Sequence, residues 1–124
     1  MVNSRRKGKD GELEAVKLLH PWFPDCKRSI GQARNGAEKA DLINTGPFYV
    51  EVKRRKHITD KMLCDWWNEL IIEWAHSTPI PLLLYRCDRT DWRCWVLKLG
   101  DTNITALSWT ELVEILNNSK GETK

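Results

Sequence analysis

The stretch FYVEVKRRK, residues 48–56, places a carboxylate and a lysine inside an apolar run. Side chains alternate along a β-strand, so Glu51 and Lys53 share one face of the predicted strand. Val50 and Val52 share the other face, which is expected to be core. A charged pair facing apolar packing without partners is costly, so the face of Glu51 and Lys53 calls for a partner or a role.

Asp41 is the candidate partner, because it precedes Glu51 by ten residues across a turn at Gly46-Pro47. A hairpin would bring Asp41 beside Glu51 and Lys53. Two converging carboxylates repel each other unless a cation lies between them, and hard oxygen ligands suit Mg²⁺ or Mn²⁺. A lysine beside such a metal can orient or help deprotonate the attacking water. The pattern D-x9-E-x-K followed by basic residues is what metal-dependent phosphodiester hydrolysis requires. The simpler alternative is an exposed ion pair worth ~0–1 kcal/mol.

The elements that must position these residues are predicted from periodicity and turn residues. In chain order they are a helix from Asp10 ended by Pro21, strands over CKRSIGQ, ADLIN and FYVEVK, a helix over TDKMLCDWWNELIIEWAHS capped by Thr59, strands over LLLYRC and WRCWVLKL, and a helix over SWTELVEILNN capped by Ser108 or Thr110. ADLIN and FYVEVK are expected to pair as a hairpin. The prediction is an α/β domain with a mixed central sheet of about five strands flanked by helices, in the order αβββαββα. Residues 1–124 are expected to form one domain, with a flexible basic arm over 1–9 and a frayed tail over 119–124.

Composition excludes several classes of protein. The chain has 124 residues, 41% hydrophobic and 30% charged, which is typical of one globular domain. No apolar run approaches the ~20 residues of a membrane span, and no signal peptide is visible, so a cytoplasmic protein is expected. Four cysteines without metal-site spacing are interpreted as free thiols. The absence of a P-loop and of G-x-G-x-x-G argues against a nucleotide cofactor.

The charge distribution is uneven along the chain. Residues 1–61 carry 14 Lys and Arg against 8 Asp and Glu, whereas residues 62–124 carry 6 against 9. A basic bias in the half that holds the carboxylates favours a polyanionic partner, and nucleic acid is the commonest one. A solvated basic surface is the ordinary alternative.

Taken together, these motifs resemble those of the PD-(D/E)xK nuclease superfamily. The resemblance lies in Gly8 and Glu12 of RRKGKDGELEAVKLL, in Asp41 of KADLI, and in Glu51 and Lys53 of YVEVKRRK. More narrowly, the chain is similar to the archaeal-type and phage Holliday junction resolvases, and a compact stand-alone nuclease of this kind is common in phage. The resemblance covers the first half of the chain well and implies a restriction-endonuclease-like fold.

The resemblance implies a catalytic set in which Lys53 activates water and a Mg²⁺ ion, with Mn²⁺ as the alternative, is bound by Glu12, Asp41, Glu51 and the carbonyl of Val52. Glu14 is a rival to Glu12, because residues two apart on a helix point about 200° from each other and only one can face the site. The spacing from Gly8 favours Glu12. The chain departs from the family at Ala40, where the family carries proline.

Candidate DNA contacts come from the basic segments and, for the region between the first helix and Asp41, from the resemblance. They are Arg5, Arg6, Lys7, Lys9, Arg28, Ser29, Gln32, Arg34, Arg54, Arg55 and Lys56.

The sequence therefore predicts a Mg²⁺-dependent, structure-specific DNA endonuclease, most concretely a Holliday junction resolvase acting as a homodimer on four-way DNA. The alternatives are a flap, repair or restriction nuclease of the same superfamily, a non-catalytic DNA-binding module, and an interaction protein that uses the tryptophan-rich helix. Trp66, Trp67 and Trp74 of that helix are interpreted as core or as a dimer face. Residues 62–74 and the strand at 92–99 are the two candidate dimer surfaces.

Overall fold

The computed structural model describes residues 4–29, 40–74, 79–97 and 103–122. In chain order the elements are α1 (Ser4–Leu19), β1 (Lys27–Arg28), β2 (Leu42–Ile43), β3 (Phe48–Arg55), α2 (Asp60–Trp74), β4 (Ile80–Cys87), β5 (Arg93–Leu97), β6 (Ile104–Ser108) and α3 (Trp109–Glu122). Strands β3 to β6 form a mixed sheet in the order β3-β4-β5-β6, with β3 and β4 parallel and the other neighbours antiparallel. Strands β1 and β2 form a separate antiparallel pair. The predicted mixed α/β class is confirmed.

Helices cover both faces of the four-stranded sheet. On one face, which we call the α1 face, α1 and α3 pack against Val50, Leu82 and Leu84. On the other, the α2 face, α2 packs against Tyr49 and Leu83. Burial on both faces explains the run of consecutive leucines in β4, because a strand covered on both sides does not alternate apolar with polar residues.

The central sheet has one element that sequence periodicity missed. Strand β6 pairs antiparallel with β5 at the edge of the sheet, from Ile104 opposite Leu97 to Ser108 opposite Arg93. Its side chains are exposed or half-buried, and Ile104 is exposed. An edge strand of this kind carries little apolar alternation, so the order is αβββαβββα and not the predicted αβββαββα.

The prediction that β2 and β3 pair as a hairpin is wrong, because the two strands share no ladder of hydrogen bonds. Strand β2 pairs with β1, and β3 pairs along its whole length with β4. Asn44 and Gly46 have φ values of 61° and 59°, which turn the chain sharply between the two strands. One main-chain contact of the expected hairpin remains, since the Asp41 amide donates to the Val50 carbonyl at 3.0 Å.

Both outer helices are longer than the sequence predicts. Helix α1 begins at Ser4, so residues 4–9 continue the helix where a flexible arm is predicted. Lysine and arginine are good helix formers, and the segment has no proline to stop it. Helix α3 runs to Glu122, into the segment predicted to fray. Residues 1–3 and 123–124 lie outside the described residues.

Side-chain caps fix the starts of the other helices. The Thr59 hydroxyl accepts a bond from the Met62 amide at 3.2 Å, as predicted for the start of α2. Ser108 and Glu111 form a reciprocal capping box at α3, with the Glu111 amide donating to the Ser108 hydroxyl and the Ser108 amide to the Glu111 carboxylate. Ser108, and not Thr110, is therefore the cap.

Both candidate dimer surfaces contribute side chains to the core of the chain. Leu63, Trp67 and Leu70 of α2 are buried against the sheet, and Trp67 packs edge-on to Trp95 at 6.3 Å. Strand β5 pairs on both sides and is covered on both faces. Ile72 of α2 is nevertheless exposed, and residues 98–99 lie outside the described residues. The use of either segment as a dimer surface stays a prediction.

The cysteines are free thiols, as predicted, and they are Cys26, Cys64, Cys87 and Cys94. Burial raises the pKa of Cys26 to about 11 and that of Cys94 to about 12, so both are neutral structural groups. None of the helices in the described residues is long and apolar enough to span a membrane.

Candidate active site

Strand β3 divides its side chains between the two covered faces of the sheet. Val50 and Val52 enter the core of the α1 face, as the alternation predicts. The opposite side carries Tyr49, Glu51 and Lys53, and Tyr49 is buried under α2. The charged residues therefore stand at the border of a core layer and not on an open surface.

Asp41 is fixed by main-chain contacts on both sides. Its carbonyl accepts a bond from the Ser29 amide at 2.8 Å, and its amide donates to the Val50 carbonyl. Its Oδ2 atom accepts a bond from the Val52 amide at 2.8 Å. The Asp41 carboxylate is thus held against the middle of β3, beside Glu51.

Asp41 and Glu51 are brought together as a carboxylate pair. The pKa of Glu51 is raised to about 9, first by burial and then by the negative charges of Asp41 and Glu73 and a hydrogen bond with Asp41, against an opposing effect of Lys53. The Oε1 atom of Glu51 is buried and has no hydrogen-bond partner among the described residues. Without a cation, Glu51 therefore holds a proton at neutral pH.

The donor set fits a hard divalent cation. Mg²⁺ is commonly bound through one or two carboxylates together with waters and substrate phosphates, and Asp41 and Glu51 supply two such groups. Within residues 4–29, 40–74, 79–97 and 103–122, no group of three or more His, Cys, Asp and Glu side chains has the arrangement of a metal site. Asp41 and Glu51 are the carboxylates that the structure brings together on β3.

Glu12 and Glu14 of α1 have different partners. Glu12 accepts a bond from the Arg28 guanidinium at 2.8 Å. Glu14 forms an ion pair with Arg86 and accepts a bond from the Trp92 indole at 2.9 Å. Glu14 thus contacts β4 and the chain before β5.

Glu12 lies on the side of α1 that approaches Asp41. Its partner Arg28 pairs in β1 opposite Leu42, the residue after Asp41, and Ser29 bonds Asp41 directly. The structure nevertheless gives Glu12 a cation as its partner and does not group it with Asp41 and Glu51. Its role as a third metal ligand stays a prediction.

Lys53 and Arg55 both lie against the indole ring of Trp66. The Lys53 Nζ atom and the Arg55 Cζ atom are each 5.4 Å from the ring centroid. The sequence analysis interpreted Trp66 as core or as part of a dimer face and missed this contact. The signal was available, because only a short connection separates β3 from α2 and the first turns of α2 must lie over the end of β3.

The other predicted DNA-binding residues differ in exposure and in whether a carboxylate neutralises them. Arg28 and Arg54 are neutralised, by Glu12 and by Asp88. Ser29 is buried, whereas Lys9 and Lys56 are exposed. Arg5, Arg6 and Lys7 lie on α1 without described side chains, and Gln32 and Arg34 lie outside the described residues.

This arrangement of helices and sheet is shared with a solved structure. The solved structure of Archaeoglobus fulgidus Hjc, a Holliday junction resolvase from an archaeal hyperthermophile, matches the chain with a TM-score of 0.52. The match covers 88% of this chain and 99% of that one, at 16% sequence identity, and shows a common fold. No protein-family model and no curated protein sequence matches the chain.

Proposed function

We propose that this chain is a divalent-metal-dependent, structure-specific DNA endonuclease, and most concretely a Holliday junction resolvase. The observation that carries the proposal is the half-buried Asp41–Glu51 carboxylate pair, which lies beside Lys53 of the edge strand β3. The fold shared with Hjc supports the same class. The basic bias of residues 1–61 supports a DNA substrate.

In this proposal Asp41 and Glu51 hold a Mg²⁺ or Mn²⁺ ion, and the carbonyl of Val52 is a further predicted ligand. Such an ion lowers the pKa of a bound water and polarises a phosphate oxygen. The Val52 amide keeps one oxygen of Asp41 in place, so the pair is positioned before substrate arrives. Burial destabilises two ionised carboxylates that lie side by side. A bound cation would therefore stabilise the ionised pair.

In this proposal Lys53 acts on the reacting phosphate or on the attacking water. It lies two residues beyond Glu51 on the same face of β3, and its charge opposes the rise in the Glu51 pKa. Its ammonium can donate hydrogen bonds to a phosphate oxygen or hold the attacking water. Arg55 and Lys56 follow on the same segment and supply charge for the neighbouring phosphates.

The proposed enzyme is a two-fold homodimer, because two opposed strands of a four-way junction must be nicked and a symmetric dimer presents two equivalent sites. Sedimentation of the chain alone and with a junction tests this part of the proposal. The expected result is a dimer bound to one junction.

A second candidate, a non-catalytic DNA-binding module, is favoured by two observations. Glu12 holds Arg28, and no described group of three acidic, histidine or cysteine side chains is arranged as a metal site. A nuclease of the same class with a flap, repair or restriction substrate is the third possibility, since fold does not fix substrate.

Cleavage of a labelled four-way junction in Mg²⁺ separates these functions. Linear duplex, flap and single-stranded DNA are the substrate controls, and Glu51→Gln is the control for a contaminating nuclease. We expect paired, symmetric nicks in the junction and none with the variant. Equal cutting of every substrate would reject the junction assignment, and binding without cutting in Mg²⁺ or Mn²⁺ would leave the DNA-binding module.

A further inference from the structure

Two cations on the α2 face of β3, Lys53 and Arg55, both contact the ring of Trp66. Lys53 and Arg55 point to the same side of the strand, and both approach the same indole ring at 5.4 Å. A cation over an aromatic face is attracted by the negative face of the ring. The ring therefore holds both charges in one place, although they repel each other.

The fold fixes the position of Trp66 from both sides. Leu63, Trp67 and Leu70 bury α2 against the sheet, and Trp66 stands beside this buried stripe, itself half-buried. Arg55 is held a second time, because its Nη1 atom donates to the Arg54 carbonyl at 3.0 Å. The ring and the guanidinium are thus placed by the structure of the free chain.

An aromatic partner leaves the charges available for a ligand, whereas a carboxylate would not. Among the described residues, no carboxylate forms an ion pair with Lys53 or Arg55. The indole ring carries no formal charge, so it orients the cations without neutralising them. A phosphate that joined Lys53 and Arg55 would also relieve their mutual repulsion.

We propose that Trp66 is a positioning residue that holds Lys53 and Arg55 as a pair for two neighbouring phosphates of the DNA strand, next to the Asp41–Glu51 carboxylates. This inference rests on the proposed nuclease function. Trp66 acts through the two cations and does not itself touch the reacting atoms. Its ring faces the cations and is not required for stacking on a base.

Three variants of the full chain test the assignment. Trp66→Leu removes the ring and keeps apolar volume, whereas Trp66→Phe keeps an aromatic face. Trp109→Leu is the matched control, because Trp109 is half-buried on the α1 face and packs on Trp22, and no cation among the described residues lies over its ring. We expect Trp66→Leu to cleave junction DNA about fivefold more slowly, and Trp66→Phe to retain most of the rate. Trp109→Leu is expected to cleave at the unsubstituted rate.

An NMR readout tests the contact without any cleavage. The ring current of Trp66 shifts the ε-methylene protons of Lys53 upfield, so this shift should vanish in Trp66→Leu and persist in Trp66→Phe. If the loss of rate in Trp66→Leu were purely structural, the melting temperature of this variant would fall. Trp66→Phe would then recover the ring-current shift without recovering the cleavage rate.

The outcomes separate this inference from the proposed function. Loss of both the upfield shift and the rate in Trp66→Leu, with both restored in Trp66→Phe, supports the positioning role. Unsubstituted-level cleavage by Trp66→Leu in an otherwise active protein overturns the inference alone. Absence of cleavage by the unsubstituted chain overturns the proposed function and, with it, the role of Trp66.

Discussion

The cations on the two faces of the central sheet have different partners. On the α1 face, Arg54 and Arg86 form ion pairs with Asp88 and Glu14. On the α2 face, the cations of β3 lie over the ring of Trp66. Among the described residues, a carboxylate neutralises Arg54, whereas Lys53 and Arg55 on either side of it form no ion pair.

The difference separates structural charge from charge available to a ligand. The paired arginines join α1, β3 and β4 and have no charge left over for a polyanion. The cations over Trp66 keep their charge beside the half-buried carboxylate pair. A basic run such as KRRK is therefore not a uniform DNA-binding patch, because the alternation of the strand sends its members to different partners.

The largest expected effect concerns Lys53. Lys53→Met should slow junction cleavage by at least about a hundredfold, because a group that stabilises developing charge in the transition state is lost. The melting temperature should change little, since Lys53 has no described ion pair. Cleavage rates and thermal melts of Lys53→Met and of Lys56→Met, an exposed neighbour, measure the two effects. Equal rates for the two variants would remove Lys53 from the site.

A second prediction concerns the pH dependence of the metal-free protein. The pKa of Glu51 is raised to about 9 in the folded state, so the folded chain binds one more proton than the unfolded chain between about pH 4.5 and pH 9. The free energy of unfolding should fall, on the order of a few kcal/mol, as pH rises through this window. Denaturant melts between pH 5 and pH 9 measure it.

Two controls sharpen that measurement. Glu51→Gln should flatten the pH dependence, and added Mg²⁺ should stabilise the unsubstituted chain more at high pH than at low pH, since the ion binds the charged pair. A pH dependence unchanged in Glu51→Gln would assign the effect to another group.

The third prediction tests the α1 face. Gly11 of α1 is buried, and a Cβ atom at this position would come within 2.6 Å of the Arg54 Cβ atom. Gly11→Ala should therefore lower the free energy of unfolding by about 1–3 kcal/mol through overpacking, despite its better helix propensity. Leu13→Ala, an exposed position on the same helix, is the control and should change it by less than about 0.5 kcal/mol. A stabilised Gly11→Ala protein would show that α1 can move away from β3.

The smallest effects give the most direct contrast between adjacent residues. Arg55→Met should reduce the slope of log affinity for DNA against log salt by about one and leave the stability unchanged. Arg54→Met should leave this slope unchanged and lower the free energy of unfolding by about 1 kcal/mol. Salt titrations of DNA binding and denaturant melts measure both. The same slope change in both variants would break the distinction between the two faces.

The local part of this architecture could be predicted from the sequence. Alternation in FYVEVKRRK separates Val50 and Val52 from Glu51 and Lys53, and short-range caps identify Thr59 and Ser108. The approach of Asp41 to Glu51 also follows from sequence distance, although the contact is made by single bonds and not by a ladder.

The rest depends on contacts between residues far apart in the chain. The pairing of β3 with β4 and of β1 with β2 is set by which faces can be buried together, and β6 carries no periodic signal of its own. The partners of Arg28, Arg54 and Lys53 lie outside their own strands. Arg28 pairs with Glu12, 16 residues away in the sequence, and Arg54 pairs with Asp88, 34 residues away. Composition predicts the charges but not which of them are neutralised.

The most direct test of the central claim is the dependence of junction cleavage on Mg²⁺ in the unsubstituted chain and in Asp41→Asn. Asp41→Asn keeps the size of the side chain and an acceptor for the Val52 amide, and it removes one charge of the pair. We expect the unsubstituted rate to rise from zero in chelator to saturation with Mg²⁺, and the variant to stay at least about a hundredfold slower at every Mg²⁺ concentration. Cleavage that persists in chelator, or an Asp41→Asn rate equal to the unsubstituted rate, would contradict a carboxylate pair that acts by holding a metal ion.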